Sequence, residues 1–134
     1  RFGYAAVSFG KPVSLKKLAS ADTEAVAETL MAGIREVIPV LPVPLVSLAL
    51  LKGAQDRSQI EIFAKRLVDA APSAHVHLPR NDLTYAIEVG LRMLSLREAI
   101  KENGTIFIKD ERLLAFYAAS IEHFVSETTE APEE

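Results

Sequence analysis

The chain has no cysteine and no tryptophan among its 134 residues. Without cysteine there is no disulfide framework, no thiolate metal site and no cysteine nucleophile, and the composition fits a reducing compartment. Without tryptophan, an interfacial aromatic belt would rest on three tyrosines alone. The six glycines are scattered and none forms a Gly-x-Gly, which excludes the usual phosphate-cradling loop. No serine stands in a Gly-x-Ser-x-Gly elbow. A long hydrophobic run is also missing. The longest, Val37 to Leu51, is shorter than the roughly 20 apolar residues a spanning helix needs, and Pro39, Pro42 and Pro44 interrupt its first half. It reads as a buried or membrane-surface segment. The sequence opens on Arg1, as a processed or partial chain does, and Phe2-Gly3-Tyr4 does not begin a signal peptide.

Apolar residues make up 49% and charged residues 25%, the balance of a globular chain. Mean hydropathy is +0.18, mildly apolar for one ordinary domain. Net charge is -3, so a generic electrostatic grip on nucleic acid is not expected. The charge is uneven. Arg1, Lys11, Lys16 and Lys17 have no acid among them, and from Glu122 onward the chain is acidic only. Residues 126–134 read as a frayed, disordered acidic tail, with an acidic docking segment as the alternative.

Ala5 to Phe9 predicts a short strand ending at Gly10, and Ser14 can cap a short helix through Ala19. Asp22 caps a longer helix whose face carries Ala25, Val26, Thr29, Leu30, Gly33, Ile34, Val37 and Ile38 until Pro39 stops it. Pro44 suits the first turn of the next helix, which is apolar nearly all round and closes at Lys52-Gly53. Asp56 or Ser58 caps a third helix, with Ile60, Phe63, Ala64, Leu67 and Val68 inward and Pro72 at its end. Ser73 to Arg80 reads as a linker. Asn81 or Asp82 caps a helix bearing Tyr85, Ala86, Val89, Leu91 and Leu94. A short segment from Leu96 to Lys101 stops at Asn103-Gly104, and Thr105 to Ile108 is a strand or extended strut. Asp110 caps the last helix, with Leu113, Leu114, Phe116, Tyr117, Ile121 and Phe124 inward.

Few residues are candidates for chemistry. His77 and Asp82 stand at a spacing at which, in glycerolipid acyltransferases, an aspartate orients an imidazole as general base. The competing reading is a linker histidine beside a helix cap. His75 and His77 alternate like two ligands on a strand, but only His123 remains to join them, and a metal site needs more. His123 reads as a packing residue. Arg80 is the lone cation beside His77.

Three segments taken whole resemble a family. Val7-Ser8-Phe9-Gly10-Lys11-Pro12-Val13-Ser14-Leu15 resembles the strand-turn-helix near the end of the catalytic domain in bacterial membrane-type glycerol-3-phosphate acyltransferases. Val37 to Leu51 is similar to that family's Pro-led apolar helix. Leu113 to Phe124 is similar to its C-terminal helix, although the family's Arg-Asn-Asn is Ala118-Ala119-Ser120 here. The order and gaps agree up to Val125.

The resemblance implies a mainly α fold, a helical accessory domain with one or two short strands, the first left over from the edge of an α/β acyltransferase domain. It places residues 1–52 at the end of that domain (strand, turn, two helices) and 53–125 in a C-terminal helical domain. It implies a parent transferase of phospholipid biosynthesis, moving an acyl group from acyl-CoA or acyl-carrier protein to glycerol 3-phosphate. The parent would be cytoplasmic and peripheral to the inner membrane. The family's catalytic blocks precede the Phe-Gly-x-Pro segment, so His77 and Asp82 do not match its catalytic pair. No catalytic, cofactor-binding or metal-binding residue is therefore expected in this chain, and no cofactor. Its implied partner is the N-terminal catalytic domain of the same protein, with membrane-surface contact and homo-oligomerisation as further options and no nucleic acid. Two other readings stand beside this one. One is a stand-alone helical interaction module with a partner groove at Pro39 to Leu51. The other is a winged-helix-like DNA binder over Asp82 to Phe124, with a short helix at Leu96 to Lys101.

Overall fold

A computed structural model describes residues 7–18, 22–71 and 76–125 of the chain. The acidic tail expected at 126–134, His75, and Ala5 and Ala6 of the expected first strand lie outside the described residues. The chain forms two compact units, Arg1–Ile38 and Pro39–Glu134.

In the first unit, α1 spans Thr23–Val37. The Asp22 carboxylate accepts from the Ala25 N–H at 2.8 Å, satisfying one of the orphan donors of the first turn. Pro39 ends the helix by forcing Ile38 into the extended region (φ -68°, ψ 122°). No residue of α1 is buried, and Leu30, Met31 and Ile34 are about half exposed. Gly10 lies close to this helix: a Cβ there would sit 3.4 Å from both the Gly33 carbonyl oxygen and Val37 Cγ1. Of the expected strand, the described residues Val7 to Phe9 carry no regular structure. The helix expected from Ser14 is instead a turn, with Lys17 N–H and Leu18 N–H bonding to the carbonyls of Ser14 and Leu15.

The second unit is built around α2, Pro42–Leu51. Pro42 and Pro44 stand in its first turn, where the missing N–H groups would have had no intrahelical partner, and the ladder opens with Leu45 N–H to Leu41 C=O at 3.0 Å. A helix with no polar face must be covered. Leu45 to Leu50 are all buried, at roughly 1.5–3 kcal/mol for each large side chain. The cover comes from α3 (Arg57–Ala70), α4 (Leu83–Leu96) and α5 (Glu111–Ala118). Asp56, Asp82 and Asp110 cap these three, each accepting from the N–H three residues on.

The compact units part after Ile38, and α2, on the near side of the boundary expected at Lys52, packs with the helices that follow it. Gly53 (φ +99°) closes α2 with a Schellman pair, Gly53 N–H to Leu50 C=O and Ala54 N–H to Ala49 C=O, and this turns α3 back against α2. The signal that ends the helix thus joins two elements of one core.

Between α4 and α5 lies a hairpin, β1 (Ile100–Asn103) and β2 (Thr105–Ile108), antiparallel with Ile100 opposite Ile108 and Glu102 opposite Ile106. Gly104 (φ +75°) makes its turn. The short helix expected at Leu96 to Lys101 is thus replaced by the end of α4, a turn with Glu98 at φ +55°, and the start of β1. Ile106 N–H donates to Gln55 C=O at 2.8 Å, fastening β2 to the α2–α3 connection. The expected linker is also partly pinned: Val76 forms a parallel bridge with Val40, and His77 N–H donates to Val40 C=O at 3.2 Å.

The fold is mainly α with one short two-stranded sheet, as expected. Phe116, expected inside, is 75% exposed. The buried side of α5 and the turns after it runs through Leu114, Ala118 and Ile121, and Phe116 falls on the opposite side.

Candidate functional site

The His77–Asp82 pair does not form an oriented base. His77 is exposed. The Asp82 carboxylate accepts from Tyr85 N–H at 3.0 Å as the cap of α4. Between them Pro79–Asn81 forms a 3-10 turn with two left-handed residues, Arg80 (φ +61°) and Asn81 (φ +52°). The Arg80 guanidinium lies 4.2 Å from the centre of the Tyr85 ring, the geometry of a cation–π contact rather than of a group awaiting phosphate. His123 is half-buried, with its ring 4.1 Å from that of Phe124, in keeping with a packing role. Among the described residues no group of three or more His, Asp or Glu is placed to hold a metal ion.

The strongest polar cluster is one that sequence reading passes over. Arg57, the first residue of α3, grips Glu102 on β1 with Nε–Oε1 at 2.9 Å and Nη2–Oε2 at 3.2 Å. Its Nη1 lies 3.5 Å from Glu88 Oε1 on α4. The hydrogen bonds from Arg57 hold the Glu102 carboxyl below its ordinary range, against a smaller opposing effect of partial burial. The same bond to Glu102 raises Arg57. The cluster ties α3, α4 and the hairpin together. Nothing in the local sequence marks it, since its members come from three separate elements.

Pro39 to Leu51 does not form a partner groove, because its helix is the centre of its own unit. Apart from Leu41, just ahead of that helix, the exposed large apolar groups lie elsewhere, among them Leu30, Met31 and Ile34 on α1 and Phe9, Ile62, Leu96, Phe107 and Phe116. Among the described residues no helix is long and apolar enough to cross a membrane. No family model, curated protein or solved structure matches the chain.

Proposed function

We propose that this chain is the C-terminal, structural portion of a glycerol-3-phosphate acyltransferase-like enzyme of phospholipid synthesis. The observation that carries the reading is a pairing. Two of the three segments that resemble the family, Val37–Leu51 and Leu113–Phe124, lie far apart in sequence and pack on each other as α2 and α5. Their shared buried residues include Leu45, Leu48, Leu114, Ala118 and Ile121. The third segment meets α1 where Gly10 approaches Gly33 and Val37. A pattern shared by α2 and α5 has a physical reason, since the two stretches are packing contacts of one unit, and the third segment packs within the other unit. The exposed apolar side of α1 is then surface for the catalytic domain, and the parent is peripheral to the inner membrane.

Acyl transfer needs a base for the acceptor hydroxyl, a cationic phosphate site and donors for the thioester oxyanion. The Asp82 carboxylate caps α4, Arg80 lies on the Tyr85 ring and the exposed His77 is not oriented by either, so in this reading the chemistry belongs to the family's blocks that precede the Phe-Gly-x-Pro segment. The test is expression of the parent reading frame beside this chain, with acyl-CoA and glycerol 3-phosphate. Turnover is expected from the parent only, and His77→Ala in the parent should leave the rate within a few-fold. Turnover by these 134 residues that is abolished by His77→Ala or Asp82→Ala would refute the reading. So would a parent frame without a His-x-x-x-x-Asp and a Glu-Gly-x-Arg block upstream.

A second reading, the winged-helix-like DNA binder, finds architectural support in the Ile106–Gln55 bond. It adds a one-bond edge to the hairpin and yields the order helix, edge, helix, helix, hairpin. Such a likeness concerns architecture only. The exposed side of α4 carries Thr84, Glu88, Arg92 and Ser95, and Glu88 faces Arg57, so the helix offers no basic stripe. Salt-sensitive retention of duplex DNA at physiological ionic strength would favour this second reading over the first.

A further inference from the structure

We propose that the groove between the last turn of α2 and the first half of α3 binds a free, monomeric amphiphilic anion, an alkyl or aryl body bearing one carboxylate or phosphate. The inference goes beyond the acyltransferase reading and stands without it.

The groove is shallow and open to solvent and offers about 300 Å³, the low end of the size range of small-molecule sites. Local sequence builds it. The Schellman closure at Gly53 folds Ala54 back over Ala49, and the returning helix adds Ile62 and Phe63 to an apolar floor. Ile62 is 54% exposed, so this floor is not covered by the chain.

The polar groups around the floor are of one kind. Lys52 and Arg66 line the groove, both are exposed, and neither side chain forms an ion pair or hydrogen bond among the described residues. Gln59 also lines it. Its Oε1 already accepts from Gln55 N–H at 2.8 Å, which leaves its amide NH2 as the free end. No carboxylate lines the groove. Three of the last four α2 carbonyls, which would repel an anion at a helix C-terminus, are engaged: those of Leu48, Ala49 and Leu50 accept from Lys52, Ala54, and both Lys52 and Gly53. Free donors of two cations and an amide over an apolar floor complement a ligand with one anionic head and an apolar body. A bare inorganic anion would leave the floor wet, and a neutral alcohol would leave the cations without a partner.

The test uses the full chain, isotopically labelled, titrated with octanoate below its micellar range and followed by amide NMR shifts. Saturable shifts are expected at Gly53, Ala54 and Gln59. Octanol, with the body but no charge, and inorganic phosphate, with charge but no body, should each bind at least about tenfold more weakly. The double variant Lys52→Ala/Arg66→Ala should weaken octanoate by about tenfold or more, roughly the effect of losing one charge-assisted contact. Both sites are exposed, so the fold survives, which an unchanged circular dichroism spectrum checks. Lys52→Arg/Arg66→Lys should keep the affinity within a few-fold. Absence of saturation, shifts centred elsewhere, equal binding of octanol, or undiminished binding by the double alanine variant would each overturn the proposal. Co-sedimentation with phosphatidylglycerol vesicles without any octanoate response would overturn it too, by assigning the surface to a bilayer.

Discussion

Gly90 makes a sharp test of how the second unit is packed. It lies inside α4, where alanine is worth about 1 kcal/mol more than glycine on helix propensity alone. In an isolated helix Gly90→Ala would stabilise. Here a Cβ would sit 2.6 Å from the Pro42 carbonyl oxygen, 2.6 Å from Val46 Cγ2 and 3.1 Å from the Pro42 carbonyl carbon. Neither obstacle yields cheaply. Pro42 is backbone in the first turn of α2, and Val46 is fully buried and stiff at χ1. Relief requires α2 and α4 to part, and α3 and α5 are packed on the same α2. Overpacking of this kind costs about 1–3 kcal/mol, and the backbone contact places it in the upper part of that range. Less the propensity gain, the net loss is about 1–2 kcal/mol. For a domain of roughly 60–100 residues each kcal/mol lowers Tm by about 4–8 °C.

Circular dichroism is the natural probe, since the chain has no tryptophan to report by fluorescence. Gly33→Ala is the control. Its added Cβ would meet nothing within 4 Å, so α1 should gain roughly 0.5–1 kcal/mol of helix stability. The two identical substitutions should thus act with opposite signs. In a Val46→Ala background the cost of Gly90→Ala should shrink by about 0.5 kcal/mol or more, because half of the overlap is gone. A Gly90→Ala protein as stable as the parent, or strict additivity with Val46→Ala, would refute the close approach of α2 and α4.

Three further outcomes follow from individual side chains. The Ser47 Oγ is buried without a hydrogen-bond partner, so Ser47→Ala should stabilise by about 1 kcal/mol in urea unfolding; a loss would mean the hydroxyl has a partner. Asp82→Ala should cost about 1 kcal/mol as a lost cap while His77→Ala stays within about 0.5 kcal/mol, and equal losses would instead couple the two residues. Glu102 lies below its ordinary pKa because Arg57 bonds its ionised form, so the pair stabilises above the unfolded carboxylate value near ~4.3 and is lost as pH falls through the lower folded value. Arg57 is raised from an already high value, so its contribution, full below that value, is not lost until beyond any usable alkaline pH. Both groups are more than a third exposed, so an Arg57→Ala/Glu102→Ala cycle should give at most about 1 kcal/mol at neutral pH, less in high salt, and should vanish once Glu102 is protonated in the folded protein. A coupling that survives acid would contradict the assignment.

What could be read from the sequence was local. Each of the four long-range packing helices and α1 announces itself by periodicity or by continuous apolarity, and Asp22, Asp56, Asp82 and Asp110 mark four starts because a carboxylate three residues before an orphan N–H is a short-range arrangement. The fate of α2 was legible for the same reason: a segment with no polar side has no orientation that leaves it in water. The hairpin was only half legible. Asn103-Gly104 is a hairpin signal, yet Ile100-Lys101-Glu102-Asn103 is mostly polar and reads as the end of a helix. Its strand state is set by partners distant in sequence, Ile106 N–H on Gln55 C=O and the Arg57 grip on Glu102.

The surface was the least legible part, because exposure of one residue depends on which others cover it. Phe116 and Leu114 are two positions apart with the same hydrophobic character, and only the placement of α2 decides that Leu114 is buried and Phe116 is not. The same reasoning separates α1 from α2. Amphipathic spacing in α1 states that one side needs a cover, without stating what supplies it, and Leu30, Met31 and Ile34 remain about half exposed. A helix of this length draws most of its stability from packing. If the catalytic domain of the proposed parent supplies that cover, hydrogen exchange of α1 should slow in the parent relative to this chain, while α2 amides, already buried among three helices, exchange alike in both. Equal protection of α1 in the two proteins would mean that its apolar side serves no such contact.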